Sequence, residues 1–510
     1  MSPRPRRWGR RLAALALLVL APAAIALGVA SATLGHDPLE MVQALLQRTP
    51  GEFIRYAKQR LIGHPRLEAV ALPVLHAVQR QVEREVPPWL PSLGKGQQPQ
   101  GLEPLRYGQD GQPLPAAPAA GPVAGAAGDE VLLHSAADIA AAVDRARPGQ
   151  RLLILPGTYR ISRLLQTRTA GTALAPIVLA AARPGEVTLE FETMEGITVY
   201  HPYWVFENLT LRGACANHFI CEHAFHVVGA ARATVLRNNR IEDFNAHVKV
   251  NGFRGQWPDD GLIQFNTIVN TTAREMYRPA APIDIVAASG WRVADNVVAN
   301  FVKTQGNRGS TGIFMKGAGE RGRIERNLVV CTPTDISRPG NRVGISFGGG
   351  GTGLPYCRDR RCDAEHRDGL MANNVIAHCN DFGIDVLRST GTVVAFNTLI
   401  NTAGIDVRVA PSQAHVHANV LDGRIRARSG GRLSEQDNVV GSLHEGADTL
   451  FLQPPASVAP RAVAAGAVPM PGDDFCGLPR EAGRVVPGAV TRGLPCPQAD
   501  GAPPARTALQ

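Results

Sequence analysis

Val248-Lys249-Val250-Asn251, Ile283-Asp284-Ile285-Val286, Ile313-Phe314-Met315-Lys316 and Ile345-Ser346-Phe347-Gly348 are four versions of one phrase. Ile384-Asp385-Val386-Leu387, Ile405-Asp406-Val407-Arg408 and Ile425-Arg426-Ala427-Arg428 continue it. Their first and third residues are apolar. In an extended chain successive side chains leave on opposite faces, so the first and third positions face a core and the second and fourth face out. Read down the second position, the outward column is Lys249, Asp284, Phe314, Ser346, Asp385, Asp406, Arg426, with His226 preceding it by a looser match. The fourth position gives a neighbouring column that contains Lys316, Arg408 and Arg428.

A second phrase recurs between these strands, centred on Asn208, Asn239, Asn266, Asn296, Asn327, Asn374, Asn397, Asn419 and Asn438. The spacing varies from 19 to 47 residues, so the shortest period is that of a coil of three short strands, and longer ones carry loops. Stacked coils put identical amides in register, where each donates to the carbonyl oxygen of the next. The two phrases together predict an all-β, right-handed parallel β-helix, a solenoid, over residues 129–445.

Upstream of the repeats, Ser135-x-x-Asp138 reads as a capping box for a helix over Ala136–Arg147, Arg151–Leu155 as a strand, and Gly157-Thr158-Tyr159 as a turn. Residues 33–86 read as a helical module or stalk broken into short pieces at Pro50, Pro65 and Pro73. Residues 87–128 form a Pro/Gly-rich linker, and residues 446–510 a loosely ordered Pro/Ala/Gly-rich tail. The first 32 residues have the order of a secretory signal. Five arginines precede the apolar run Leu12–Val29, and Ala30-Ser31-Ala32 follows it. The segment is either cleaved or kept as an inner-membrane anchor, and the protein is expected to be exported, periplasmic or secreted.

The stretch Gly149–Tyr159, followed by Gly171-Thr172 and Pro176-Ile177-Val178-Leu179, resembles the opening coils of chondroitinase-B/alginate-lyase-type β-helix proteins. The remainder, including Phe347-Gly348-Gly349-Gly350-Gly351-Thr352 and Cys357-Arg358-Asp359, is similar to exported bacterial parallel β-helix repeat proteins. The resemblance covers roughly residues 130–445 and implies a polysaccharide as partner. The lyase family's E-x-E-x4-K pattern of calcium-binding glutamates before a catalytic lysine does not occur in this chain. No cofactor is specified, and calcium stays open.

Composition narrows the chemistry. All but five of the 53 basic residues are arginines, and five of the +9 charges belong to the export segment. No basic run is interleaved with aromatics, so nucleic acid is not an expected partner. Eight cysteines in an exported chain read as disulfides. Cys215/Cys221 and Cys357/Cys362 are close enough for local staples, Cys331/Cys379 for a bridge between neighbouring coils, and Cys476/Cys496 for a loop in the tail.

Three of the five lysines, Lys249, Lys303 and Lys316, fall on the same few coils. Insertions flank that stretch: 252–261 and 349–369 follow the repeated strand, while 272–281, 302–311 and 332–342 precede it. Loops on one face of a solenoid build its binding site. Elimination on a uronate polymer needs a cation for the carboxylate, a base for the C5 proton and an acid for the leaving oxygen. The expected set is Lys249 as base, Asp284 holding it, Lys316 and Arg278 on the carboxylate, and His247 or His226 as further acid/base groups. The reading is a lyase or epimerase, with Phe314, Ser346, Asp385, Asp406, Arg408 and Trp257 expected to contact substrate. Two alternatives stand beside it. Stacked Asp385 and Asp406 suit a glycoside hydrolase, and the same groove suits a non-catalytic carbohydrate-binding or cell-envelope scaffold protein.

Overall fold

The computed structural model describes residues 54, 57, 61 and 65–82, then residues 129–441 other than 279, 333–339, 350 and 351, and in the C-terminal region residues 461–462, 471–481, 484–491 and 496. The expected export segment and linker lie outside the described residues. The chain divides into two units, residues 1–82 and 83–510. In the first, Pro65–Val82 is one helix of 18 residues. Pro65 opens it, where a missing N–H costs nothing. Pro73 lies inside it and does not break it into pieces, contrary to the sequence expectation.

The second unit is a parallel β-helix of three sheets with 12, 10 and 11 strands. One coil runs through Trp204–Glu207, Thr210–Gly213 and His223–Val228, one strand in each sheet, before Val235–Arg237 starts the next. The repeated phrase forms the ten-stranded sheet in the expected register. Lys249 pairs with Asp284, Asp284 with Phe314, Phe314 with Ser346, Ser346 with Asp385, and Asp385 with Asp406. Val248, Val250, Ile283, Ile285, Ile313, Met315, Ile345 and Phe347 are buried in one core that runs the length of the solenoid. Removing this apolar surface from water is the main drive for stacking.

The asparagines form the expected ladder from Asn239 to Asn438, each Nδ2 donating to the next Oδ1 at 2.9–3.1 Å. Each also donates to a backbone carbonyl, as Asn266 does to Leu236 at 2.9 Å, so the buried amides are satisfied. Asn208 is an exception to the expected alignment. Its coil places Leu209 at the ladder position, where the Leu209 N–H meets Asn239 Oδ1 at 3.1 Å, and Asn208 pairs with Asn238 instead. The cause is the corner geometry. The residue before each rung turns with positive φ, as Asn238, Phe265, Asp295 and Arg326 do, and Asn208 (φ 63°) is that residue in its coil.

Helix Ala136–Arg145 caps the N-terminal end, with Ser135 accepting from the Asp138 N–H and with Ile139 and Val143 fully buried. Gly157-Thr158-Tyr159, expected as a turn, opens the strand Gly157–Ile161 and pairs with Val187–Phe191; Pro156 leaves the turn one residue earlier. Part of the expected loose tail is docked. Phe475, Ala489 and Val490 pack on Leu328, Val330, Val375 and Ile400 of the 11-stranded sheet. Arg480 reaches Asn373 Oδ1 at 2.6 Å and lies 4.1 Å over the Phe396 ring. All four cysteine pairs are disulfides: Cys215–Cys221, Cys331–Cys379, Cys357–Cys362 and Cys476–Cys496.

Candidate active site

The outward column of the ten-stranded sheet forms the floor of a cleft of about 500 Å³. Lys249, Asp284, Phe314, Ser346 and Asp385 come from the column itself, and Lys316 and Arg408 from the one beside it. The segments that precede the strands wall it, through Arg278, Asn307 and Asn341. The segments that follow the strands mostly turn away and brace each other. Arg358 donates to both carboxylate oxygens of Asp259 at 2.7 and 2.9 Å and lies 4.7 Å over the Trp257 ring. Trp257, expected as a substrate contact, is therefore taken up by this brace and does not line the cleft. Gly349 does line it, and a Cβ there would lie 1.8 Å from the Phe314 ring, so only glycine lets that ring stand where it does.

Asp284 is the electrostatic centre. Lys249 Nζ donates to its Oδ2 at 2.5 Å, and Lys316 Nζ stands 3.4 Å from its Oδ1. Burial by itself would raise this carboxyl, but the two ammonium groups hold it below the ordinary carboxylate value. Lys316 also sits 4.0 Å over the Phe314 ring, a cation–π contact that fixes its direction. Arg278 is well exposed, and its nearest carboxylate is Glu222 at 3.8 Å. Two lysines thus meet one buried aspartate, and the exposed Arg278 stands in the same cleft near Glu222, which leaves cationic capacity facing the cleft.

Sequence reasoning missed His223. It lines the cleft at the start of the strand His223–Val228. Its Nδ1 lies 3.0 Å from the Ala246 carbonyl, which can only accept, so Nδ1 carries the proton and a neutral ring keeps its lone pair on Nε2. Burial, followed by the neighbouring His226, pushes it down to about 4, so it is neutral at pH 7. His226 itself occupies the column opposite Lys249, and both its ring nitrogens are engaged, with Glu195 at 2.8 Å and Asn251 at 2.7 Å. The repeated phrase pointed to His226 because that residue holds the column; His223 precedes the phrase and no periodicity marks it.

His247 is not brought to the cleft. It is fully buried beside Phe244, its Nε2 meets Val269 O at 3.1 Å, and burial lowers it to about 3. It sits on the corner just before Val248, where the chain turns its ring inward. Asp385 and Asp406 occupy adjacent coils as expected, but arginines saturate both. Arg408 binds Asp385 through two bonds of 2.9 and 2.7 Å. Asp406 has no exposed surface, does not line the cleft, and accepts from Arg426 at 2.6 Å and Arg428 at 2.9 Å. Neither carboxylate has the free oxygen a hydrolytic pair needs. Ser346 lines the cleft, but its hydroxyl is engaged, donating to Gly348 O at 2.5 Å. Among the described residues, no group of three or more His, Cys, Asp or Glu side chains is placed to hold a metal ion.

No family model matches the chain, and no curated protein matches it. Solved structures do. Pectate lyase Pel9A is 15% identical, with a TM-score of 0.44 over 70% of this chain and 84% of its own. An alginate lyase from Paenibacillus sp. str. FPU-7 is 14% identical, with a TM-score of 0.38 over 61% and 96%. The mannuronan C-5 epimerase AlgE4 A-module of Azotobacter vinelandii is 13% identical, with a TM-score of 0.38 over 60% and 91%. The likeness is one of fold.

Proposed function

We propose that the chain acts on a uronate-containing polysaccharide at this cleft, by removing the C5 proton next to the carboxylate. The observation that carries the reading is the meeting of Lys249 and Lys316 on Asp284 in a cleft that Arg278 and the neutral imidazole of His223 also line. Lys316 and Arg278 take the substrate carboxylate and stabilise the charge that spreads onto it as the proton leaves. His223 Nε2 accepts that proton. This departs from the expectation for Lys249, whose short contact with a carboxylate suits a proton donor better than a base. In elimination the electron pair forms the C4–C5 double bond, the C4–O bond breaks, and the leaving oxygen takes a proton from Lys249. In epimerisation C5 is reprotonated from the opposite face and the chain stays intact.

Four disulfides fit an oxidising, extracytoplasmic compartment, where such polymers occur. Among the described residues no helix is long and apolar enough to cross a membrane. We place the protein in the periplasm or outside the cell, with the apolar segment 12–29 as its export signal or anchor. The test is incubation with a panel of uronate polymers in D₂O. Ultraviolet absorbance reads the unsaturated product of a lyase, which keeps no hydrogen at C5, and NMR reads deuterium at C5 of the residues an epimerase has reprotonated. Neither signal on any polymer would sink the reading.

A further inference from the structure

One feature at the rim of the cleft has no part in proton transfer. Phe219 and Tyr277 come from different coils, and their rings stack with centroids 5.8 Å apart and planes 30° apart. Tyr277 is 67% exposed, Phe219 37%, and Ile220 beside it 38%. Adjoining exposed apolar side chains of this size mark a contact surface more often than a chance arrangement.

The pair is held rigidly. Cys215–Cys221 closes the short loop that carries Phe219. Asn245 Nδ2 donates to His218 O at 2.6 Å, and the Glu275 N–H donates to His218 Nδ1 at 3.0 Å, which ties the Phe219 loop to the segment bearing Tyr277. Lys303, only 2% exposed, donates to Tyr277 O at 2.8 Å and to Asn307 Oδ1 at 2.9 Å. Burying an ammonium on two neutral oxygens is costly, and burial lowers its pKa. This lysine, which the sequence placed with Lys249 and Lys316, acts as a brace beneath the rim.

The platform is continuous with the cleft. Tyr277 precedes Arg278, Glu222 follows the Cys215–Cys221 loop, and Asn307 is the second partner of Lys303; all three flanking residues line the cleft. A pyranose ring offers an apolar C–H face that an aromatic ring covers well, while its hydroxyls stay in water. We propose that Phe219 and Tyr277 form a stacking subsite for one sugar ring of the polysaccharide, outside the reacting residue. The inference rests on the cleft being a polysaccharide site, though stacking itself needs no uronate.

Calorimetric binding to the full chain tests it, using uronate polymers, their disaccharides and neutral polymers. Tyr277→Ala weakens polymer binding about tenfold and Phe219→Ala less, while disaccharide binding in the cleft stays unchanged and Tyr277→Trp restores the polymer affinity. The thermal midpoint should not move, because both side chains are exposed. Unchanged polymer affinity in both alanine variants overturns the subsite, as does an equal loss for polymer and disaccharide. Tyr277-dependent binding of a neutral polymer, with no uronate bound, upholds the subsite and overturns the uronate reading. A wild-type chain that binds no polymer overturns both.

Discussion

The two halves of one outward column behave differently. From Lys249 to Lys316 a single aspartate faces two lysines, and Arg278 overhangs them from a wall. From Asp385 to Arg428 two aspartates face three arginines, and every carboxylate oxygen is taken. Arg408, Arg426 and Arg428 also gather over one ring, that of Phe382, at 5.5–5.7 Å. Sheet and spacing are the same in both halves. The forked, planar arginine closes a lattice on carboxylates, whereas the single-point lysine leaves a carboxylate partly open. Charge in the first half is available to a ligand; charge in the second is spent on structure.

Substitutions on either side should separate these roles. The largest expected effect is on turnover. His223→Gln and Lys249→Ala should each lower turnover per folded molecule by roughly 10²–10⁴-fold. Lys249→Ala also leaves the buried Asp284 with Lys316 as its remaining cation, so its thermal midpoint should fall while the fold is kept. If Lys249→Ala unfolds the chain instead, the first half is structural too. Asp406→Ala should reverse the pattern. Removing the shared acceptor of Arg426 and Arg428 should cost about 2–4 kcal/mol in a denaturant titration, with activity per folded molecule retained.

A ladder rung comes next. Asn327→Ala should cost about 1–3 kcal/mol, because it removes the acceptor of both the Asn296 N–H and Nδ2 and the side-chain donor to the Val293 carbonyl within a buried spine. The acid limb should be spread over several pH units. His247 and His366 are buried and held down to about 3, so between pH 6.5 and 3 only the unfolded chain gains their protons. Their folded pKa values lie below the unfolded one, so stability is full above pH 6.5 and falls as pH falls, by about 1.4 kcal/mol per pH unit for each ring at the steepest. His366→Phe should flatten that slope, since the ring already stacks on Phe347 at 4.2 Å with neither nitrogen bonded. An unchanged slope would show that the ring finds a proton partner after all.

The fold was legible because it repeats. Alternation at Val248–Asn251 and its six successors fixed the register, and the asparagines fixed the corners. Single-coil exceptions were harder to read. Asn208 looked like a rung because the corner residue before a rung also favours asparagine, which tolerates positive φ better than most residues. Of the candidate cleft, the places of Lys249, Asp284, Lys316 and Arg278 were legible because column and wall can be counted along the chain. His223 was not, since its neutrality comes from burial beside His226, a property of three dimensions. The capture of Trp257 by Arg358 joins two loops far apart in the chain, and sequence spacing does not carry that.

The ladder has one more consequence. Asn327 and Asn374 are 47 residues apart, Asn419 and Asn438 only 19, yet the amide contact is 3.0 Å in one case and 2.9 Å in the other. The rise of the solenoid is thus decoupled from the length of chain spent on each turn. A lineage built this way can lengthen or shorten one loop without altering the pitch of its neighbours, so its binding face can be rewritten coil by coil while the scaffold is inherited unchanged.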